Sequence, residues 1–299
     1  MTNPSAGAGG PWAVPGVPVV PLEPVVPVEA MAPRLPLLDC LSDSCRAPLQ
    51  TPAPCSSRPP IHGRLPRMSD PTPLLEVIAV DADDARAAVA GGADRLELVS
   101  EMRYAGFAPS VEAFEAIRAA VTVPLRVMIR RREGFSAGGV QGVAELVHTA
   151  EALRRAGAEE FVLGWLDPDG TVDLEAVRAV LDALGGAKWT FHKAIDATNQ
   201  RDAVYDAVRT LPGLDTVLSS GGFPASGDGV DVLRAESERE RGLGGPRILV
   251  GGGLAQEALP SLRAAGLDAF HVGTAVRADG TWDSPVEAEK VAEWRKLLG

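Results

Sequence analysis

Residues 188–196 read KWTFHKAID. Lys188–Phe191 has the aromatic and β-branched content of a short strand, and the residues after it have the polarity of a loop opening a helix. The stretch predicts a strand that ends on His192, with Asp196 one turn later. In a barrel of parallel strands, that end of a strand is where chemistry is placed.

Outward from this stretch the same rhythm repeats. Short apolar runs occur at 74–79 (LLEVIA), 95–100 (RLELVS), 124–130 (PLRVMIR), 160–165 (EFVLGW), 188–192 (KWTFH), 215–220 (DTVLSS), 247–252 (RILVGG) and 269–273 (AFHVG). Between them lie Ala- and Leu-rich stretches with helical spacing: 81–92, 111–120, 143–157, 174–186, 200–210, a less regular 228–242, 255–266 and 284–298. Several end in glycine, the residue that best tolerates a left-handed helix stop. Eight strands alternating with eight helices predict an α/β chain of the (β/α)8 TIM-barrel class. A doubly wound open sheet is the alternative, but no strand is followed by a G-x-G-x-x-G phosphate fingerprint. The similar phrases AGGADRLELV and RAAGLDAFHVG read as the same helix–turn–strand join.

Residues 1–70 are different. They hold 15 of the 25 prolines, which interrupt both helices and sheets. They are expected to form a disordered, Pro-rich tail, with 71–299 as the barrel. Met68 begins MSDPTPLLEV, and translation is expected to start at or near it, just before the first strand. Cys40, Cys45 and Cys55, all the cysteines of the chain, lie in this tail. The barrel therefore has neither a disulfide framework nor a thiolate metal site.

The formal charge is −11, and the first 70 residues contribute none of it. An acidic barrel without a basic patch argues against nucleic acid and against anionic membranes as partners. No stretch approaches the roughly 20 uninterrupted apolar residues of a membrane span. The expectation is a cytoplasmic protein with a small-molecule or metal ligand.

Side chains alternate along a strand, so His192 and Thr190 are expected to face the barrel interior and Lys193 to face away. The first two strands each bury a glutamate in an apolar run, Glu76 and Glu97. The third brings Arg126 and Arg130 at matching parity, and the last brings His271 and Gly273. A carboxylate among hydrophobic residues is costly unless it is paired or bound to a metal. Glu76, Glu97, Arg130, His192, Asp196 and His271 are therefore expected to form a polar ring. Such a ring closes the barrel as a structural Glu–Arg network, or it handles protons or a metal for a small ligand. Glu97, His192 and His271 are the candidate metal ligands. Gly251–Gly253, Gly273 and Ser219 are the candidate anion-binding groups, because glycines let an anion approach backbone N–H groups.

LLEVIA, GGADRLELVS, GFAPS, VPLRVMIRRREGF, VLGWLDPDGTVD, WTFHKAID, VLSSGG and LVGGGL together resemble the CutC family, over roughly residues 74–254 with a weaker continuation to 299. The resemblance implies a (β/α)8 barrel, a cytoplasmic homodimer or higher oligomer, copper binding and a role in copper homeostasis. It carries over Glu76, Glu97, Arg130, His192 and Asp196 as the polar mouth. Where relatives have cysteines after the first two glutamates, this chain has Ile78, Ala79 and Val99. A histidine common in the third strand is Arg126 here. The only sulfurs left in the barrel are those of Met102 and Met128. Two readings stand: a metal-handling protein without turnover, or a lyase, isomerase or hydrolase acting on a phosphorylated or carboxylated metabolite.

Overall fold

The computed structural model describes residues 72–299. The expected tail, the start near Met68 and the three cysteines lie outside the described residues. Eight strands form a closed parallel barrel in sequence order: β1 (Leu74–Ala79), β2 (Arg95–Leu98), β3 (Leu125–Met128), β4 (Glu160–Leu163), β5 (Lys188–Phe191), β6 (Leu214–Ser219), β7 (Arg247–Val250) and β8 (Ala269–Val272). β8 pairs with β1 and completes the circle. The alternating helices are α1 (Ala82–Ala90), α2 (Val111–Ala120), α3 (Gly139–Arg155), α4 (Leu174–Leu184), α5 (Arg201–Val208), α6 (Val230–Leu243), α7 (Leu259–Ala264) and α8 (Ala288–Leu298).

The period-two pattern of the strands separates two cores. Leu75, Val77, Leu96, Val127, Phe161, Trp189, Val217, Ile248 and Phe270 face outward and join the helices in the main hydrophobic cluster. The alternate residues face inward. There, Ile78, Val99, Met128 and Val162 form one small cluster, while Leu218, Leu249 and Ala269 form another. The helices arise from local signals. Ser110 caps α2, its Oγ accepting the Ala113 N–H at 3.1 Å. Replacing Ser110 with alanine is expected to cost about 1 kcal/mol in urea unfolding.

Near the N-terminal ends of the strands, Arg126 is fully buried. It pairs with Glu160 at 3.0 Å and Asp215 at 2.7 Å. At the other end, Asp84 accepts from Val80 N–H, Val286 N–H and the Arg277 guanidinium, at 3.2, 3.0 and 2.5 Å. This buried carboxylate fastens the segment after β8 over the seam between β1 and β8. Arg277 in turn lies 5.0 Å beneath the Trp282 ring.

Seven of the predicted strands run one or two residues past their real C-terminal ends, among them the three expected to include His192, Gly252 and Gly273. α3 starts four residues before its expected position. α8 starts at 288 rather than 284, because Val286 is held in a bridge with Arg277.

Candidate active site

A cavity of about 300 Å³ opens at the C-terminal ends of the strands, within the usual range for small-ligand sites. At its floor the strand register sets Arg95 and His271 on either side of Glu76. Arg95 Nε donates to Glu76 Oε2 at 2.5 Å, and Glu76 Oε1 meets His271 Nδ1 at 2.8 Å. His271 Nε2 then lies 3.6 Å from Glu97 Oε2. All four side chains are buried, and Glu97 and His271 line the cavity.

The order of this row sets its electrostatics. Burial pushes the Glu76 carboxyl up. Arg95 and the bond and charge of His271 together outweigh burial and bring it down to about 2. Glu76 is thus a carboxylate, so His271 carries its proton on Nδ1 and turns Nε2 toward Glu97. Glu97 has no such compensation. Burial, helped by the charge of Glu76, outweighs the attraction of His271 and lifts it to about 7. Burial lowers His271, but the two carboxylates beside it leave it raised. Glu97 and His271 therefore exchange protons as a pair near neutrality.

His192 caps the short 3-10 turn Lys193–Ala197, its Nδ1 accepting the Ala194 N–H at 3.2 Å. The proton therefore sits on Nε2, which is buried and meets no partner among the described residues. Burial, reinforced by Arg130, lowers His192 to about 3. It is a neutral hydrogen-bond donor lining the cavity, set between the rings of Phe135 and Phe191.

Lys193 corrects the parity argument. It lines the cavity, because β5 ends at Phe191 and the 3-10 turn swings the next residue inward. Its Nζ lies over Gly252, where a Cβ would collide with it, and 3.1 Å from Asp196. Gly252 and Gly253 line the same wall with φ of +93° and +58°. Their N–H groups meet no protein acceptor among the described residues.

Other expected site residues have different places. Asp196 does not line the cavity. Its carboxylate accepts from Arg201, Ser219 Oγ and the N–H groups of Ser220 and Gly222, at 2.8–3.0 Å. Burial alone would raise it, but Lys193 and these bonds hold it below the usual range. It fastens the turn after β5 to the end of β6. Ser219 belongs to that same knot and is fully buried, so it is not an anion donor. Gly251 also stays outside the cavity and instead leaves room for His271 and Leu218. Gly273 lines the cavity beneath Trp282. Arg130 lines it too, but its guanidinium donates to the carbonyls of Tyr104, Ala105 and Gly106, at 3.2, 2.8 and 3.0 Å. It anchors a loop whose Glu101 and Ala105 are left-handed.

Arg95 is the functional side chain that sequence reasoning missed. Its parity with Glu97 on β2 was the available signal.

Comparison with known proteins agrees with this fold. A family model described as the CutC family matches residues 74–276. The chain belongs to the CutC family. It is 38% identical over 169 residues to a copper homeostasis protein cutC homolog of Drosophila melanogaster, covering 56% of this chain and 64% of that relative. It is 36% identical over 200 residues to a CutC family protein of Xanthomonas campestris pv. campestris, covering 66% of this chain and 81% of that relative. A solved CutC structure from Streptococcus agalactiae superposes with a TM-score of 0.61 at 23% identity, covering 67% of this chain and 98% of that one. That likeness confirms the barrel.

The copper in the relatives' names finds no matching donor set here. The described residues contain no cysteine, and among them no three His, Cys, Asp or Glu side chains are grouped to hold a metal ion. Glu97, His192 and His271 are therefore not one ligand set. His271 Nδ1 is engaged by Glu76, and His192 Nδ1 by a backbone N–H. The Met102 and Met128 side chains pack among Ile78, Val99 and Val162.

Proposed function

We propose that this CutC-family barrel binds a small acidic metabolite, phosphorylated or carboxylated, and moves a proton on it as an isomerase or lyase does. One observation carries the reading: the Glu97–His271 pair lines the same cavity as His192, whose Nε2–H meets no partner among the described residues. The first is a base poised near neutral pH, the second a neutral donor for an oxyanion.

These roles define the chemistry. Glu97 takes a proton from a carbon next to a carbonyl. The electron pair moves onto the carbonyl oxygen, which His192 Nε2–H stabilises. The proton returns to a neighbouring atom, giving isomerisation, or a β-substituent departs with the electron pair, giving elimination. Glu76, kept ionised by Arg95, holds His271 in the tautomer that lets it share the proton with Glu97. Lys193 Nζ and the N–H groups of Gly252 and Gly253 seat the acidic group of the ligand. Hydrolysis fits less well, since among the described residues Thr274, after β8, is the one serine, threonine or cysteine that lines the cavity. The cytoplasmic location and self-association that family membership supports belong to the same proposal.

The test is deuterium exchange from solvent into a panel of phosphorylated and carboxylated ketones and aldehydes, read out by NMR. At least one compound should exchange at its α-carbon. Glu97→Gln should slow that exchange by about a hundred-fold or more. No exchange in any compound, or equal exchange with Glu97→Gln, would overturn the reading.

A further inference from the structure

The acidic group accounts for only one wall of the cavity. Opposite it, Ile78, Val99 and Met128 project inward from β1–β3 as one packed cluster. Met102 and Trp282 pack onto the same cluster. All five line the cavity. The parity of the strands makes this wall: it is formed by the residues two positions after Glu76, Glu97 and Arg126 on their strands. Arg130, the remaining cation on this side, faces loop carbonyls. The mouth is thus divided. Lys193, His192 and the Gly252–Gly253 turn lie on one side, and a continuous apolar surface on the other.

A ligand filling this space meets two opposed demands. Its charged end must reach the lysine and the glycine N–H groups. Its remainder must lie against aliphatic and indole surface, where a hydroxyl would lose its water without gaining a partner. Sugar phosphates and other polyhydroxylated acids carry several such hydroxyls. The cavity of about 300 Å³ has room for one ring or a short branched chain beside the acidic group.

Resting on the acidic-metabolite reading above, we infer that the substrate is amphipathic: a single acidic head on an apolar, ring-sized or branched body, rather than a polyol. Met128 and Val99 are then specificity-determining residues. They select the apolar body by burying it, and they reject hydroxylated analogues by leaving their hydroxyls unpaired.

Calorimetric titration of the full chain with two matched pairs tests this: phenyl phosphate against glycerol 3-phosphate, and phenylacetate against glycerate. The aromatic member of at least one pair should bind about ten-fold tighter or more. Met128→Gln, which keeps length but adds a polar end, should weaken the aromatic ligand by about five- to ten-fold and leave the polyol acid unchanged. Met128→Leu should retain the preference and shows that the wall tolerates substitution. If the polyol acids bind as well as the aromatic ones, or if Met128→Gln weakens both alike, the inference is overturned while the acidic-metabolite reading survives. If none of the four compounds binds, both are overturned together.

Discussion

Replacing Glu97 with glutamine should make the folded protein more stable at pH 8, by up to about 3 kcal/mol, and leave its stability unchanged at pH 4. Most substitutions of buried charged residues do the reverse. The sign comes from the position of Glu97 in the row. Its carboxyl holds a proton to about 7 in the folded chain, against 4.5 for a free glutamate, because burial and the charge of Glu76 outweigh the attraction of His271. The unfolded chain gives up that proton first. Stability is therefore lost as pH rises from 4.5 to 7 and stays lost above. His271, whose folded value is also raised, adds loss in the same direction, above its ordinary 6.5. Glutamine cannot ionise, so it removes the penalty. Urea unfolding at pH 4, 6 and 8 would show the two curves separating as pH rises. A glutamine variant less stable than the parent at pH 8 would mean that the carboxylate is favourably paired. The same substitution should slow proton transfer by about a hundred-fold or more, the stability–activity trade expected of a buried catalytic group.

Glu76→Ala is the opposite case. Its loss should destabilise the barrel by about 3–5 kcal/mol at pH 7, because the Arg95 guanidinium and His271 Nδ1–H then lie buried without their acceptor. Glu76 titrates at about 2 in the folded chain. Its contribution is fully present above 4.5 and is lost as pH falls from 4.5 toward 2, so parent and variant should converge near pH 2. Adding Arg95→Met should recover most of the loss, since the cost comes from the stranded cation more than from the missing bond. Urea midpoints of the two variants decide it. A single variant within about 1 kcal/mol of the parent, or a double variant no better than the single, would show that Arg95 and Glu76 are not coupled.

Local patterns carried most of the architecture. Alternation along the strands turned Glu76, Glu97, Arg126 and His271 into the barrel, and the spacing of Ala and Leu marked every helix. Both patterns depend on neighbours two to four residues away, which any stretch of chain contains. The contents of the site were less accessible. Glu76 and His271 are 195 positions apart, and they meet only because β8 closes on β1 in one particular register. Lys193 was assigned to the wrong side because parity has no force beyond the last residue of a strand. Asp196 and Ser219 were placed in the site because they lie at or just past the C-terminal ends of β5 and β6, yet they bond each other and Arg201 instead.

The sequence by itself determined the eightfold alternation, the inward set of charged residues and the family, since these rest on short-range periodicity and ordered motifs. Only the tertiary structure decided which inward groups face a ligand and which face each other. Burial and pairing, which set the protonation of Glu97, Glu76 and His192, arise only once the cylinder has closed.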